Sequence, residues 1–367
     1  MRSIEKFEVN LIVDLINENG FSIDAFALEK DFHVGAALAA LSKIKDPTFD
    51  LVFCGGTCLS KAYGLLERLS EDIDFKVVTK PSITLTAGKL RSALSKLKQK
   101  VFEALIAEGF DKEQFEESFV VDGRTKMVTI DAKDSNKYIT FNVRYRSHFE
   151  KASDMRSRLQ IELNHTSLSM PKVNREAESL FDRLRGTDPK SAVKIDCVNL
   201  TEAAVEKLIS FPRRLAMHMR TVAANPEDDS KRWALDPTLV RHIYDIHEIN
   251  RISPATLENH GVISTLMRGA IEKDAFDFMA QHPEFVDSPV AELKWAMAEV
   301  ATNPDIEDAY LRFIKVMVYG SQKPDFKSAL AVFDRLLSIA CTPHSDLSFK
   351  KEREEKLAKI SSTKNAS

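Results

Sequence analysis

The chain has 367 residues, of which 44% are hydrophobic and 29% charged, and its formal net charge is −3. That balance excludes a disordered or globally basic protein, so any nucleic-acid contact must come from a local basic surface. Four cysteines without a CxxC pair exclude a disulfide scaffold and a zinc ribbon; with no signal-peptide pattern and no apolar run of transmembrane length, they read as reduced core thiols in a cytoplasm.

Residues 4–18 are helix-periodic, and Asn19-Gly20 ends them. A second helix over Glu29–Leu41 turns Phe32, Val34, Ala37, Leu38 and Leu41 inward, with Glu29, Lys30 and Asp31 as a solvated first turn. The stretch Leu51–Val77 carries the densest signal. Leu51-Val52-Phe53 has strand character, Gly55-Gly56 breaks it, and Thr57 can cap a helix that follows. Leu59, Ala62, Tyr63, Leu66 and Leu69 recur at helical steps and give that helix one buried face. In the next strand, Asp72–Val77, alternation sends Asp72 and Asp74 to one side and Ile73 and Phe75 into the core.

A helix start offers backbone N–H groups to a phosphate, and two carboxylates about 7 Å apart along a strand can hold a magnesium ion that shares the phosphate oxygens. Each half alone has a plain reading, a turn or a solvated strand end. Their order joins them: burying Arg68, Ser70 and three acids between apolar flanks is expensive without compensating partners. The pattern reads as a nucleoside triphosphate site.

Thr79–Ala87 reads as a loop and Lys89–Gly109 as an amphipathic helix whose lysines face solvent or RNA. Strands are expected at Lys126–Asp131, Tyr138–Arg146 and Arg158–His165; in the last, Leu159, Ile161 and Leu163 face one way and Gln160, Glu162 and Asn164 the other. Gly186–Pro189 marks a hinge, and a strand Val193–Val198 leads to Thr201 as an N-cap. From there to Cys341 the pattern is helical, punctuated by prolines. Lys350–Ser367 is charged and frays into a disordered tail. A basic stretch with Arg213, Arg214 and Arg220, followed by Lys231, suits phosphate contact, and equally a packed helix with wet arginines.

GGTCLSKAYG followed by RLSEDIDF resembles the AbiEii/AbiGii toxin family of nucleotidyltransferases, within the polymerase-β-like superfamily. LEKDFHVGAALAAL (Leu28 to Leu41), VEKL (Val205 to Leu208) and RHIYDIHEI (Arg241 to Ile249) resemble further family segments, so the resemblance spans roughly residues 25–250. It implies an α+β fold: a polymerase-β-like nucleotidyltransferase lobe with a mixed sheet over 1–190, an all-α lobe over 191–345 and a charged tail over 346–367. It implies Mg²⁺-dependent transfer of a nucleoside monophosphate from an NTP to an acceptor, the 3′ end of tRNA, by a translation-blocking toxin of a toxin–antitoxin system.

By the same resemblance Asp72 and Asp74 hold the metal, with Glu162 the candidate third carboxylate. Gly55, Gly56, Thr57 and Lys61 would cradle the triphosphate, Arg68 and Lys207 would offset its charge, Ser70 would contact a triphosphate oxygen, and Asp245 would line the pocket. Lys30 or Asp31 could help to build that pocket. The partner would be a cognate antitoxin, of winged-helix type or a kinase acting on Ser70. Where shorter members carry Arg-Asp, this chain has Arg241-His242. The sequence leaves open transfer to a protein or small molecule, an inert nucleotide or RNA binder, and a purely structural partner.

Overall fold

The computed structural model describes residues 3–19, 23–110, 117–121, 124–128, 130–151, 155–186 and 192–356. The chain divides into two units, one formed by 1–199 with 316–321 and the other by 200–315 with 322–367.

In chain order the first unit runs α1 (Lys6–Asn19), α2 (Ala25–Ser42), β1 (Phe49–Cys54), α3 (Gly55–Lys61), β2 (Asp72–Thr79) and α4 (Ala87–Ala107). It continues with β3 (Glu117–Val121), β4 (Arg124–Val128), β5 (Asp131–Lys133), β6 (Tyr138–Arg144), β7 (Arg158–His165), β8 (Val173–Ala177), α5 (Leu180–Arg185) and β9 (Val193–Cys197). Among the described residues seven strands form one mixed sheet in the order β5-β6-β7-β2-β1-β9-β8. β1 and β2 pair antiparallel, with Cys54 opposite Asp74, while β7 runs parallel to β2 and sets Gln160 beside Asp72 and Glu162 beside Asp74. Alternation therefore puts these four polar residues on one face and buries Ile73, Phe75, Leu159, Ile161 and Leu163 on the other. That apolar face packs with Val34, Ala37, Leu38 and Leu41 of α2 and Leu94, Leu97, Val101 and Leu105 of α4. The hairpin β3–β4 is a separate pair; β4 overlaps the strand expected at Lys126–Asp131, whereas β3 was not expected.

The helix after the glycine pair is shorter than its apolar spacing predicts. It ends at Lys61, and Gly64 adopts φ +67° to turn the chain. Leu65, Leu66 and Leu69 are still buried, but from an extended segment. That segment has an unexpected partner: residues 316–321 return to this unit, where Val318 bridges Arg68. Leu69 N–H donates to the Met317 carbonyl (2.8 Å), and Tyr319 N–H donates to that of Glu67 (3.0 Å). Apart from this strap, which belongs to the first unit, the named elements that follow Asn199 are helical.

The second unit contains α6 (Leu200–Ala224), α7 (Arg241–Ile252), α8 (Ala255–Glu258), α9 (His260–Asp277), α10 (Pro283–Asp287), α11 (Pro289–Thr302), α12 (Pro304–Met317) and α13 (Phe326–Cys341). Pro283, Pro289 and Pro304 each open a helix, where the missing N–H has no intrahelical partner to lose. α6 packs on α9 and α11, and α13 on α7 and α9. Thr201 lies inside the first turn of α6 instead of capping it. The expected stops at Gly20 and Thr187–Pro189, and the tail beyond Lys356, lie outside the described residues. Among those described, no helix is long and apolar enough to cross a membrane.

Candidate active site

The glycine pair is explained by the side chains that close on it. Cys54 ends β1 opposite Asp74, so the turn starts level with that carboxylate. Gly55 has φ +76°, and a Cβ there would lie 3.0 Å from Asp74 Cγ. A Cβ on Gly56 would lie 3.2 Å from Arg68 Cζ and 3.3 Å from Ser70 Oγ. Both glycines therefore admit the Arg-x-Ser-x-Asp-x-Asp side chains against the turn. Thr57 does not cap α3 through its side chain; it is fully buried, and its hydroxyl bonds Ser70 Oγ (2.8 Å) and the Asp72 carbonyl. Turn and strand are thus tied by Thr57, which fixes the level at which Asp72 leaves β2.

Two cations expected at the triphosphate are engaged inside the unit. Lys61 is 5% exposed and its ammonium pairs with Asp31, whose other oxygen accepts from the Leu180 N–H (2.6 Å). The Lys61 ammonium is thus placed on Asp31, and withdrawing it would take a counter-ion from that buried carboxylate. Arg68 is 1% exposed, donating to the Leu69 carbonyl (3.0 Å) with its guanidinium over Gly56.

The first turn of charges in α2 is likewise buried, not solvated. Glu29 accepts from the His148 N–H (3.0 Å), and Lys30 pairs with Glu71 (3.1 Å). Burial pushes the Lys30 pKa below its usual value, against the pull of Glu71.

Glu71 leads to the residue that sequence reasoning missed. Arg156 places Nε 3.3 Å from Glu71 Oε2 and Nη2 2.7 Å from Asp72 Oδ1, and its third nitrogen donates to Gln160. Burial opposes its charge, but Asp72 and Glu71 outweigh it and hold its pKa above the usual value. Nothing local to Met155-Arg156 signals this role; only the parallel register of β2 and β7 brings the loop before β7 to Asp72. Glu162, beside Asp74, is exposed and accepts from Gln160. Among the described residues no three His, Cys, Asp or Glu side chains gather as a cation cage. A pair of carboxylates on one face suits magnesium, which keeps waters and phosphate oxygens as its other ligands. Asp72 and Asp74 fit that donor set.

In the second unit Lys207 on α6 and Asp245 on α7 form a buried pair, 2.9 Å apart, with Asp245 fully buried. His242, one turn before Asp245, is buried and its Nδ1 has no hydrogen-bond partner. Burial, with Lys207 and Arg241 nearby, lowers its pKa well below 6.5, so it is neutral at pH 7. Of the basic set, Arg213 is 4% exposed, pairs with Asp274 (2.6 Å) and lies 3.9 Å above the Phe278 ring. The guanidinium expected to face phosphate is thus engaged within its own unit. Arg220 pairs with Glu292 (3.1 Å) and covers Trp295, whereas Arg214 and Lys231 are exposed.

A glycine turn closed on a strand that presents two carboxylates to one face is the constellation of a phosphoryl-transfer site of the nucleotidyltransferase class. The sequence says which branch of that class. Residues 37–332 match the family described as "Nucleotidyl transferase AbiEii toxin, Type IV TA system". The chain belongs to that family: it is a nucleotidyltransferase toxin of the type IV toxin–antitoxin kind, which implies an NTP substrate and an antitoxin partner. No curated protein sequence matches the chain. Among solved structures it is similar to MenT4, a nucleotidyltransferase toxin from Mycobacterium tuberculosis H37Rv, at 15% identity and a TM-score of 0.48, over 93% of this chain and 92% of that one.

Proposed function

We propose that this chain transfers a nucleoside monophosphate from an NTP to the 3′ end of tRNA, with Asp72 and Asp74 holding Mg²⁺. The observation that carries this reading is the shared face of Asp72 and Asp74, set against Gly55 by the β1–β2 register. Bound there, the cation would neutralise charge on the α-phosphate and favour ionisation of the acceptor hydroxyl. The carboxylates orient that cation, and Thr57 keeps Asp72 at a fixed height through the backbone. A P–O bond forms from the hydroxyl to the α-phosphorus as the bond to pyrophosphate breaks. Ser70 adds a hydroxyl beside the turn, and in the second unit Asp245 holds the Lys207 ammonium in place. The acceptor is an RNA met by the exposed Arg214 and Lys231, and the chain acts in the cytoplasm, where tRNA and NTPs are abundant.

The test is incubation of the protein with each radiolabelled NTP, Mg²⁺ and total cell extract. Label should enter the tRNA band, disappear with EDTA and weaken steeply with salt. Label confined to protein bands would move the reading to a protein acceptor, and absence of both label and pyrophosphate would defeat transfer altogether.

A further inference from the structure

Lys61 and Arg68 are occupied inside the unit, yet a triphosphate of several negative charges needs a cation that it can reach. Arg156 is built to supply one. Its backbone is pinned from both sides: its N–H donates to Glu71 Oε2 (3.2 Å), and its carbonyl accepts from the Lys30 ammonium (2.7 Å). Glu71 and Lys30 are buried and paired with each other, so this base is held within the unit. The side chain beyond it is 40% exposed, and its guanidinium spreads over Glu71, Asp72 and Gln160. A fixed root and a half-solvated planar fork make an arm able to change partners.

Asp72 is the partner it can leave. The Asp72 and Asp74 carboxylates repel one another, and Arg156, 2.7 Å from Asp72 Oδ1, relieves that repulsion while no other cation is bound. A divalent cation on the carboxylate pair takes over this neutralisation and repels the guanidinium. The same nucleotide that brings the cation offers phosphate oxygens, which a guanidinium fork grips with two parallel hydrogen bonds. Arg156 can keep Glu71 through Nε while its terminal nitrogens turn to the phosphate.

We propose that Arg156 is a ligand-exchange residue: it pairs with Asp72 and passes to the triphosphate when nucleotide and cation bind. The proposal rests on the nucleotidyltransferase reading of Asp72 and Asp74 and adds a phosphate-binding residue to it. It predicts effects of opposite sign, which a merely structural role would not give.

The experiment measures binding without turnover, by calorimetry with Mn²⁺ alone and then with an NTP carrying an α,β-methylene bridge in the presence of Mn²⁺. Wild type should bind both. Arg156→Gln should bind Mn²⁺ alone about tenfold more tightly, having lost the competing charge, and the nucleotide about tenfold more weakly. Arg156→Lys keeps a charge beside Glu71, so it serves if the glutamine variant fails to fold. It should hold Mn²⁺ within about twofold of wild type yet bind nucleotide about tenfold more weakly, because an ammonium is not a fork. Unchanged nucleotide affinity in either folded variant, or a loss of cation and nucleotide affinity together in Arg156→Gln, would overturn the exchange while leaving the site assignment standing. A wild type that binds neither Mn²⁺ nor nucleotide would overturn the site assignment and the exchange with it.

Discussion

Two charge clusters in this chain are built on opposite plans. In the first unit Asp72 sits in a graded network, from the buried Lys30 and Glu71 out to the half-exposed Arg156. In the second unit Lys207 and Asp245 close on each other beside His242, with almost no water access. A graded network can trade one partner for another, because its outer member keeps part of its hydration. A closed pair cannot, since parting its charges leaves one of them uncompensated in a poor dielectric. The difference separates a place where ligands exchange from a place where a charge is held in position.

The largest effect should come from the open cluster. Asp72→Ala or Asp74→Ala should lower nucleotide transfer about a thousandfold, the scale of removing a group that acts on transition-state charge, with the melting temperature preserved. Turnover near that of wild type in either variant would show that the cation sits elsewhere.

Lys207→Met takes the ammonium from the buried Asp245 and should cost about 3–5 kcal/mol in urea unfolding, and Lys207→Met with Asp245→Leu should recover most of it. If the double variant regains stability but stays inactive, the pair has a role beyond packing; regained activity would make it structural.

Gly55→Ala tests how closely Asp74 must approach the turn. It forces an alanine to φ +76° and a methyl onto the carboxylate, so it should lower stability by about 1–3 kcal/mol and lower transfer as well. An active, stable variant would show that the turn has room to spare.

The closed cluster also carries a pH signature. His242 has a folded pKa lowered below 6.5, so unfolding takes up a proton as pH falls below that value. Its contribution is complete above pH 6.5. It declines by about 1.4 kcal/mol per unit of pH below 6.5, until the folded pKa is reached. His242→Gln should flatten that slope, and an unchanged slope would place the titration elsewhere.

The smallest effect belongs to the surface. Arg214→Glu with Lys231→Glu should leave nucleotide binding unchanged and cut RNA labelling several-fold, with a shallower salt dependence. Equal labelling would remove these two residues from the RNA surface.

The pattern of what sequence alone revealed follows the range of the interactions. β7 is found at Arg158–His165, as alternation predicts, and the common face of Asp72 and Asp74 follows from a period of two. Lys207 and Asp245 were singled out only by resemblance, and their contact depends on how α6 meets α7. Lys30 and Lys61 read as surface or ligand-facing because lysines usually are. Their buried partners, Glu71 and Asp31, come from other segments, which periodicity within one helix does not reveal. Arg156 has no periodic context at all. The early end of α3 escaped the same reasoning because Leu66 and Leu69 are buried from an extended segment tied to the strap, not from a helix face.

The strap also sets a clock. Arg68 and Ser70 stand on a segment whose neighbours, Glu67 and Leu69, are tied to backbone from Met317 to Gly320. On the ribosome, residues 316–321 emerge long after Glu67 and Leu69, with the whole of the intervening chain made between them. Until then the Leu69 N–H and Glu67 carbonyl lack their partners, and the segment between the glycine turn and Asp72 is unfinished. A nascent copy, and any fragment cut short before 316, therefore carries Asp72 and Asp74 next to a segment that is not yet tied down.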